Sequence, residues 1–187
     1  MRWDGLFEDL EARWSALEWD ATRAEAAELT RGEWAALTLE ERLRGARGET
    51  VRLHLVWGEH RDVRLGTVGD GWVSVNAAAA DSLLVPLTSV VAWEGPLGAA
   101  STAPEGVRSR PGLPAALRQL ARARAAVRVV AGNGVELGEG TIDRVGRDHV
   151  DLARHPRDEA RRAGQVRGRL VVPLAALGLV ATPGPLG

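Results

Sequence analysis

Val85-Pro86-Leu87-Thr88-Ser89-Val90-Val91-Ala92-Trp93 returns further along the chain as Val172-Pro173-Leu174-Ala175-Ala176-Leu177-Gly178-Leu179-Val180. Both segments are dominated by β-branched and aliphatic residues, which suit strands. Upstream of each, the same order of elements is met twice. Leu43-Arg44-Gly45-Ala46-Arg47 leads into Val51-Arg52-Leu53, and Leu120-Ala121-Arg122-Ala123-Arg124 leads into Val127-Arg128-Val129. A turn follows each strand, at Gly58 and at Gly132-Asn133-Gly134; Asn-Gly tolerates the positive φ of a tight hairpin. Gly66-Thr67-Val68 then aligns with Gly140-Thr141-Ile142, and a glycine inside a strand marks a bend or bulge. Gly69-Asp70-Gly71-Trp72-Val73-Ser74-Val75 aligns with Gly146-Arg147-Asp148-His149-Val150-Asp151-Leu152, each a turn followed by a short alternating strand. The chain therefore reads as a duplication, each copy a helix followed by about five short strands.

This order of elements resembles the Sm-like family (Sm, LSm and bacterial Hfq proteins), over roughly residues 38–93 and 114–180. The second copy carries it most clearly. Asn133-Gly134-Val135-Glu136-Leu137, then Gly140-Thr141-Ile142-Asp143, then Asp148-His149-Val150-Asp151-Leu152 is similar to the first Sm signature. The resemblance implies a helix on a small, strongly bent, five-stranded antiparallel barrel. The expected fold is therefore mainly β: two tandem Sm-like barrels, each preceded by a helix. The arrangement is also similar to uncharacterised actinobacterial proteins. Sm-like proteins place an Asn that reads a base after the Asp of the third strand. Here Asp151 and Ser74 stand there. The Arg-Gly or Lys-His pair near the next turn is replaced by the apolar Val-Pro-Leu segments. The family's uridine pocket is therefore not expected.

Residues 1–37 read as an amphipathic helix, because Trp3, Leu6, Phe7, Leu10, Trp14 and Leu17 form one apolar stripe on a 3.6-residue period. Thr38-Leu39-Glu40-Glu41 fits a capping box that starts the first barrel's helix. The first barrel then covers 38–95, a Pro- and Gly-rich linker 96–112, and the second barrel 113–182, with Pro114 in the first turn of its helix. Units this small are marginal alone, so the barrels are expected to support each other or to oligomerise. No cysteine is present, which excludes disulfides and thiolate sites. Asp4, Glu8, Asp9 and Glu11 argue against a secretory signal. No apolar run is long enough to span a bilayer. A cytoplasmic location follows as the expectation.

Every basic residue other than the four histidines is Arg. Residues 1–93 hold 10 Arg against 16 Asp and Glu, a net −6, and residues 95–187 hold 14 Arg against 8, a net +6. Such polarity suits either head-to-tail docking or a basic half aimed at an anion. Six of the seven Trp precede Val75, and no Trp, Phe or Tyr follows Trp93. The basic half therefore offers no aromatic platform for bases.

The histidines show no zincin spacing, the glycines fail the dinucleotide pattern, and a Walker-type loop needs a Lys that is absent. Neither catalysis nor a cofactor or metal is expected. Two binding functions remain. In the first, RNA is contacted through backbone phosphates by Arg118 and Arg122 on one helix face, by His149, by Arg161, Arg162 and Arg167 in the long loop 153–168, and by Arg169. The second is a protein-interaction or assembly module, in which Trp3, Phe7 and Trp14 contact a protein partner or another copy of the chain.

Overall fold

A computed structural model describes residues 34–77, 81–98, 110–155 and 168–183. The chain divides into a unit of Met1–Thr38 and a unit of Leu39–Gly187. Of the first, residues 34–38 are described; 34–36 are helical, and the Leu37 N–H donates to the Trp34 carbonyl at 3.2 Å. The stripe residues Trp3, Phe7 and Trp14 lie outside the described residues.

The second unit is mainly β. In chain order it contains α1 (Leu39–Gly45), β1 (Thr50–Leu55), β2 (His60–Val68), β3 (Trp72–Ala77), β4 (Asp81–Pro86) and β5 (Val90–Glu94). It continues with α2 (Leu113–Arg122), β6 (Ala126–Ala131), β7 (Glu136–Val145), β8 (His149–Arg154), β9 (Arg169–Pro173) and β10 (Leu177–Pro183). All ten strands join one antiparallel sheet in the order β5-β1-β2-β3-β4-β10-β6-β7-β8-β9. This differs from the expected pair of closed barrels: the sheet is open, ending at β5 and at β9. The fifth strand of each half pairs with the first strand of its own half. The remaining side of β10 is taken by β4 of the other half, not by its own fourth strand.

The two halves share strand order and register. Arg52, Leu53, His54 and Leu55 pair with Glu94, Trp93, Ala92 and Val90. Arg128, Val129, Val130 and Ala131 pair with Ala181, Val180, Leu179 and Leu177. The irregularity falls at Val91 in one ladder and at Gly178 in the other. The Val-Pro-Leu segments are where strand four becomes strand five. Pro86 and Pro173, at φ −60° and −59°, end their strands and open the one-turn 3-10 helices Leu87–Ser89 and Leu174–Ala176. Proline supplies that φ and cannot continue a ladder as a donor.

One correspondence shifts. Leu65 pairs with Val75 and Val68 with Val73, while Ile142 pairs with Leu152 and Val145 with Val150. Since Val73 and Val150 hold the same place, Gly66 matches Asp143, and Gly140 matches Val63. The shared bend of β2 and β7 therefore comes from a register slip, after Leu65 and after Ile142, and not from a shared glycine. Gly140 answers a different demand: at φ +155° it lies so close to the Ala153 carbonyl that a Cβ would overlap it.

Local sequence explains the helices. α1 begins after Thr38, carries Glu40 and Glu41 in its first turn and Arg42 and Arg44 in its last, and so follows the helix dipole. Arg44 also reaches Glu40 one turn back at 3.1 Å. α2 begins with Pro114 in its first turn. Each helix drops one leucine, Leu43 or Leu117, into the core.

The core has two clusters that exchange residues where the halves meet. The first holds Leu43, Leu53, Leu65, Val75 and Leu83, and it takes in Val130, Leu179 and Ala181 from the second half. The other holds Leu117, Val129, Ile142, Leu152 and Val172, and it takes in Trp72 and Leu84 from the first half. β4 and β10 are thus covered on both faces, which is why Leu83-Leu84-Val85 and Leu179-Val180-Ala181 are unbroken apolar runs. Among the described residues, no helix is long and apolar enough to cross a membrane.

Candidate interaction surfaces

The β4–β10 seam is the most complete contact between the halves. Leu84 faces Val180, Leu83 faces Ala181 and Ser82 faces Thr182 along the ladder. Side chains tie it further. The Thr182 hydroxyl donates to the Ser82 carbonyl at 3.2 Å, and the buried Ser89 hydroxyl donates to the Leu177 carbonyl at 3.3 Å. Trp72 donates its indole N–H to the Pro111 carbonyl at 2.8 Å, which fixes the chain leading into α2 against the β2–β3 turn. Gly69 makes this possible, since any Cβ there would overlap the indole.

Beside the seam lies a groove of about 300 Å³, floored by Trp72, Leu84, Leu120 and Val180 and bordered by Thr67, Ser74 and Ser82. The same sheet face in the second half is laid out in the same register but, among the described residues, has no helix over it. By the strand pairings, Arg144, Asp151 and Arg169 occupy the places of Thr67, Ser74 and Ser82. With Asp143 they line an open polar crevice of about 230 Å³, across which Arg169 approaches Asp143 at 4.0 Å. In the first half α2 closes that face through Ala116, Gln119 and Leu120.

The two end strands each have one side that pairs with no strand among the described residues. On β9, Val171 is 62% exposed, whereas its seam counterpart Leu84 is 8% exposed. On β5, Val91 is 68% exposed. The half-buried Trp93 has an indole nitrogen that is buried without a hydrogen-bond partner among the described residues. An edge strand with apolar side chains and unpaired backbone groups is a template for another strand.

Four of the residues expected to touch RNA are described. Arg118 and Arg122 are exposed on α2. His149 opens β8 opposite Pro173, and Arg169 opens β9 opposite Ala153, so the two stand at opposite ends of that ladder. Arg161, Arg162 and Arg167 lie outside the described residues. The His149 imidazole is 2.8 Å from the Asp148 carboxylate and sits over Gly146, where a Cβ would overlap the ring. It thus repeats, with a polar ring, the packing of Trp72 over Gly69. The His149 hydrogen bond holds the Asp148 carboxyl below its ordinary range.

Of the other three histidines, His54 meets Glu94 at 3.0 Å, buried His155 meets the Thr141 hydroxyl at 3.3 Å, and the His60 ring lies 6.0 Å from that of His54. Among the described residues no three His, Asp or Glu side chains are placed to hold a metal ion. Association through edge strands is a general expectation for small barrels, but sequence reasoning did not place the open edges at β5 and β9. Their only sequence signal is the contrast between Leu83-Leu84-Val85 and Arg169-Leu170-Val171-Val172, one apolar throughout and the other opened by a charge.

Comparison with family models, with curated proteins and with solved structures finds no match.

Proposed function

We propose that this chain is a non-enzymatic assembly module that joins copies of itself edge to edge, β5 of one copy against β9 of the next. The observation that carries this reading is the β4–β10 seam. It pairs the fourth strand of one half with the fifth strand of the other, and the strands left at the sheet ends are the remaining fifth, β5, and the remaining fourth, β9. Carrying the seam register across puts Trp93 opposite Val171 and Glu94 opposite Leu170. Val171 then gains the cover that Leu84 has, and α1 of the incoming copy takes the place of α2 over the crevice of Asp143 and Arg169. Residues 39–94 hold 6 Arg against 8 Asp and Glu and residues 113–183 hold 12 Arg against 7, so opposite net charges assist. The contact is heterologous; it closes into a ring or runs on as a filament. Within this reading, each half is a unit similar to an Sm-like protein, and the two share one sheet.

The experiment is the mass in solution by light scattering across a concentration series. Association that grows with concentration supports the reading, and single-chain mass throughout refutes it.

A second reading, RNA binding through phosphates, is favoured by the exposure of Arg118, Arg122 and Arg124 on and just after α2. It predicts affinity for mixed RNA that falls steeply with salt. It also predicts weakening by Arg118→Ala with Arg122→Ala, and by Arg161→Ala with Arg162→Ala. Failure to bind at low salt removes it.

A further inference from the structure

We propose that the cavity bounded by Arg44, Arg47 and Arg110 binds a small phosphate-class oxyanion, a phosphate monoester or a pyrophosphate. The cavity measures about 340 Å³, within the range of small-molecule sites. Among the described residues it is lined by the three arginines and by Gly66, Thr67 and Val68, with no Asp or Glu in its wall. None of its lining residues is on β5 or β9, although Arg44 belongs to α1, which the proposed assembly also uses.

The guanidinium of Arg44 is only half used. Its Nη2 donates to Glu40 at 3.1 Å, while its Nε is buried with no hydrogen-bond partner among the described residues. Buried donors are rarely left unmade. A guanidinium offers its donors in a planar fork that fits the oxygens of a phosphate. Arg47, in the exposed turn after α1, and Arg110, just before Pro111, bring two more such groups to the same space.

The walls are held before any ligand arrives. Glu40 accepts the Gly71 N–H at 2.9 Å, which ties α1 to the β2–β3 turn. The Pro111 carbonyl accepts the Asp70 N–H at 3.2 Å and the Trp72 indole at 2.8 Å, which ties the segment carrying Arg110 to that turn. The remaining wall is the irregular stretch of β2 at Gly66–Val68. There Gly66 packs so closely on Ser74 that a Cβ would overlap it. Arg44 has Glu40 as a counter-charge, while Arg47 and Arg110, brought to the same space by separate segments, repel less with an anion between them. A site whose side chains are fixed by its scaffold loses less on binding.

The test is calorimetric titration of the full chain, at low salt, with inorganic phosphate and with inorganic pyrophosphate. Saturable binding at about 1 mM or tighter is expected for at least one of them. Arg47→Gln and Arg110→Gln should each weaken it about ten-fold or more, with circular dichroism and melting unchanged. Arg147→Gln, an exposed arginine in the β7–β8 turn, should bind like the parent. No saturable binding of either anion overturns the proposal, and so does an equal loss in Arg147→Gln. A 5′-phosphorylated oligoribonucleotide run against its 5′-hydroxyl form identifies the source. Preference for the phosphorylated form that is lost in Arg110→Gln assigns the phosphate to the end of a larger molecule. No preference, with pyrophosphate still bound, assigns a free small anion.

Discussion

Val171→Asp separates edge-to-edge assembly from folding. Val171 is 62% exposed on the open strand β9, and the residue in its place within the seam, Leu84, is 8% exposed. Docking a second copy in the seam register would therefore remove about half of the valine's surface from water. Full burial of such a side chain is worth about 1.5–3 kcal/mol, so the valine contributes about 1 kcal/mol to the contact. Val171→Ala should weaken association about five-fold. An aspartate there would have to leave water beside apolar neighbours without a partner, which adds about 2 kcal/mol or more. Val171→Asp should weaken association by about two orders of magnitude or more in all. In the isolated chain the side chain is solvated, so folding stability should change by less than about 0.5 kcal/mol. The assay is light scattering or sedimentation over a concentration series, with thermal unfolding as the control. A Val171→Asp protein that melts and associates like the parent would refute edge pairing through β9.

Leu84→Asp puts the same change into the closed seam, between two core clusters, and should destabilise the fold by more than about 3 kcal/mol in a denaturant titration. Trp72→Phe keeps the ring but removes the donor to the Pro111 carbonyl, which retains the Asp70 N–H; chemical denaturation should show a loss of about 1 kcal/mol. Gly140→Ala drives a Cβ into the Ala153 carbonyl at a φ that suits glycine, and a loss of about 2 kcal/mol or more is expected from the melting temperature. The Asp62 carboxyl is held below its ordinary range first by the Arg52 hydrogen bond and then by its charge. A carboxyl depressed in the folded state contributes stability above its unfolded pKa and loses it as pH falls through the folded one. Nuclear magnetic resonance titration should find Asp62 titrating at unusually low pH, and Arg52→Gln should move it up.

Much of the β architecture was legible along the chain because it is written in local terms. Val51, Leu53 and Leu55 alternate with outward residues in β1, and the Val-Pro-Leu segments mark the passage from strand four to strand five in both halves. Thr38 and Pro114 placed the helix starts for the same reason: each acts within one turn. The bend of β2 and β7 was read from a glycine, yet it lies at Gly66 in one half and Asp143 in the other. A bulge is defined by which partner residues it slips past, and one strand does not record that. The arginine cavity was silent as well. Arg44 and Arg47 are near neighbours, but nothing in the chain shows that Arg110 joins them; the hydrogen bonds of Pro111 do that.

The sequence by itself determined the elements, their order and their recurrence, since these follow from side-chain periodicity, proline and glycine within a few residues. Only the tertiary structure decided that ten strands form one open sheet, through the choice of β4 as the neighbour of β10. Pairing partners are selected by burial on both faces at once. Leu84 and Val180 meet across a seam between residues far apart in the chain, and no local pattern specifies which edge meets which. The same choice leaves β5 and β9 at the ends, and with them the surfaces on which the proposed assembly rests.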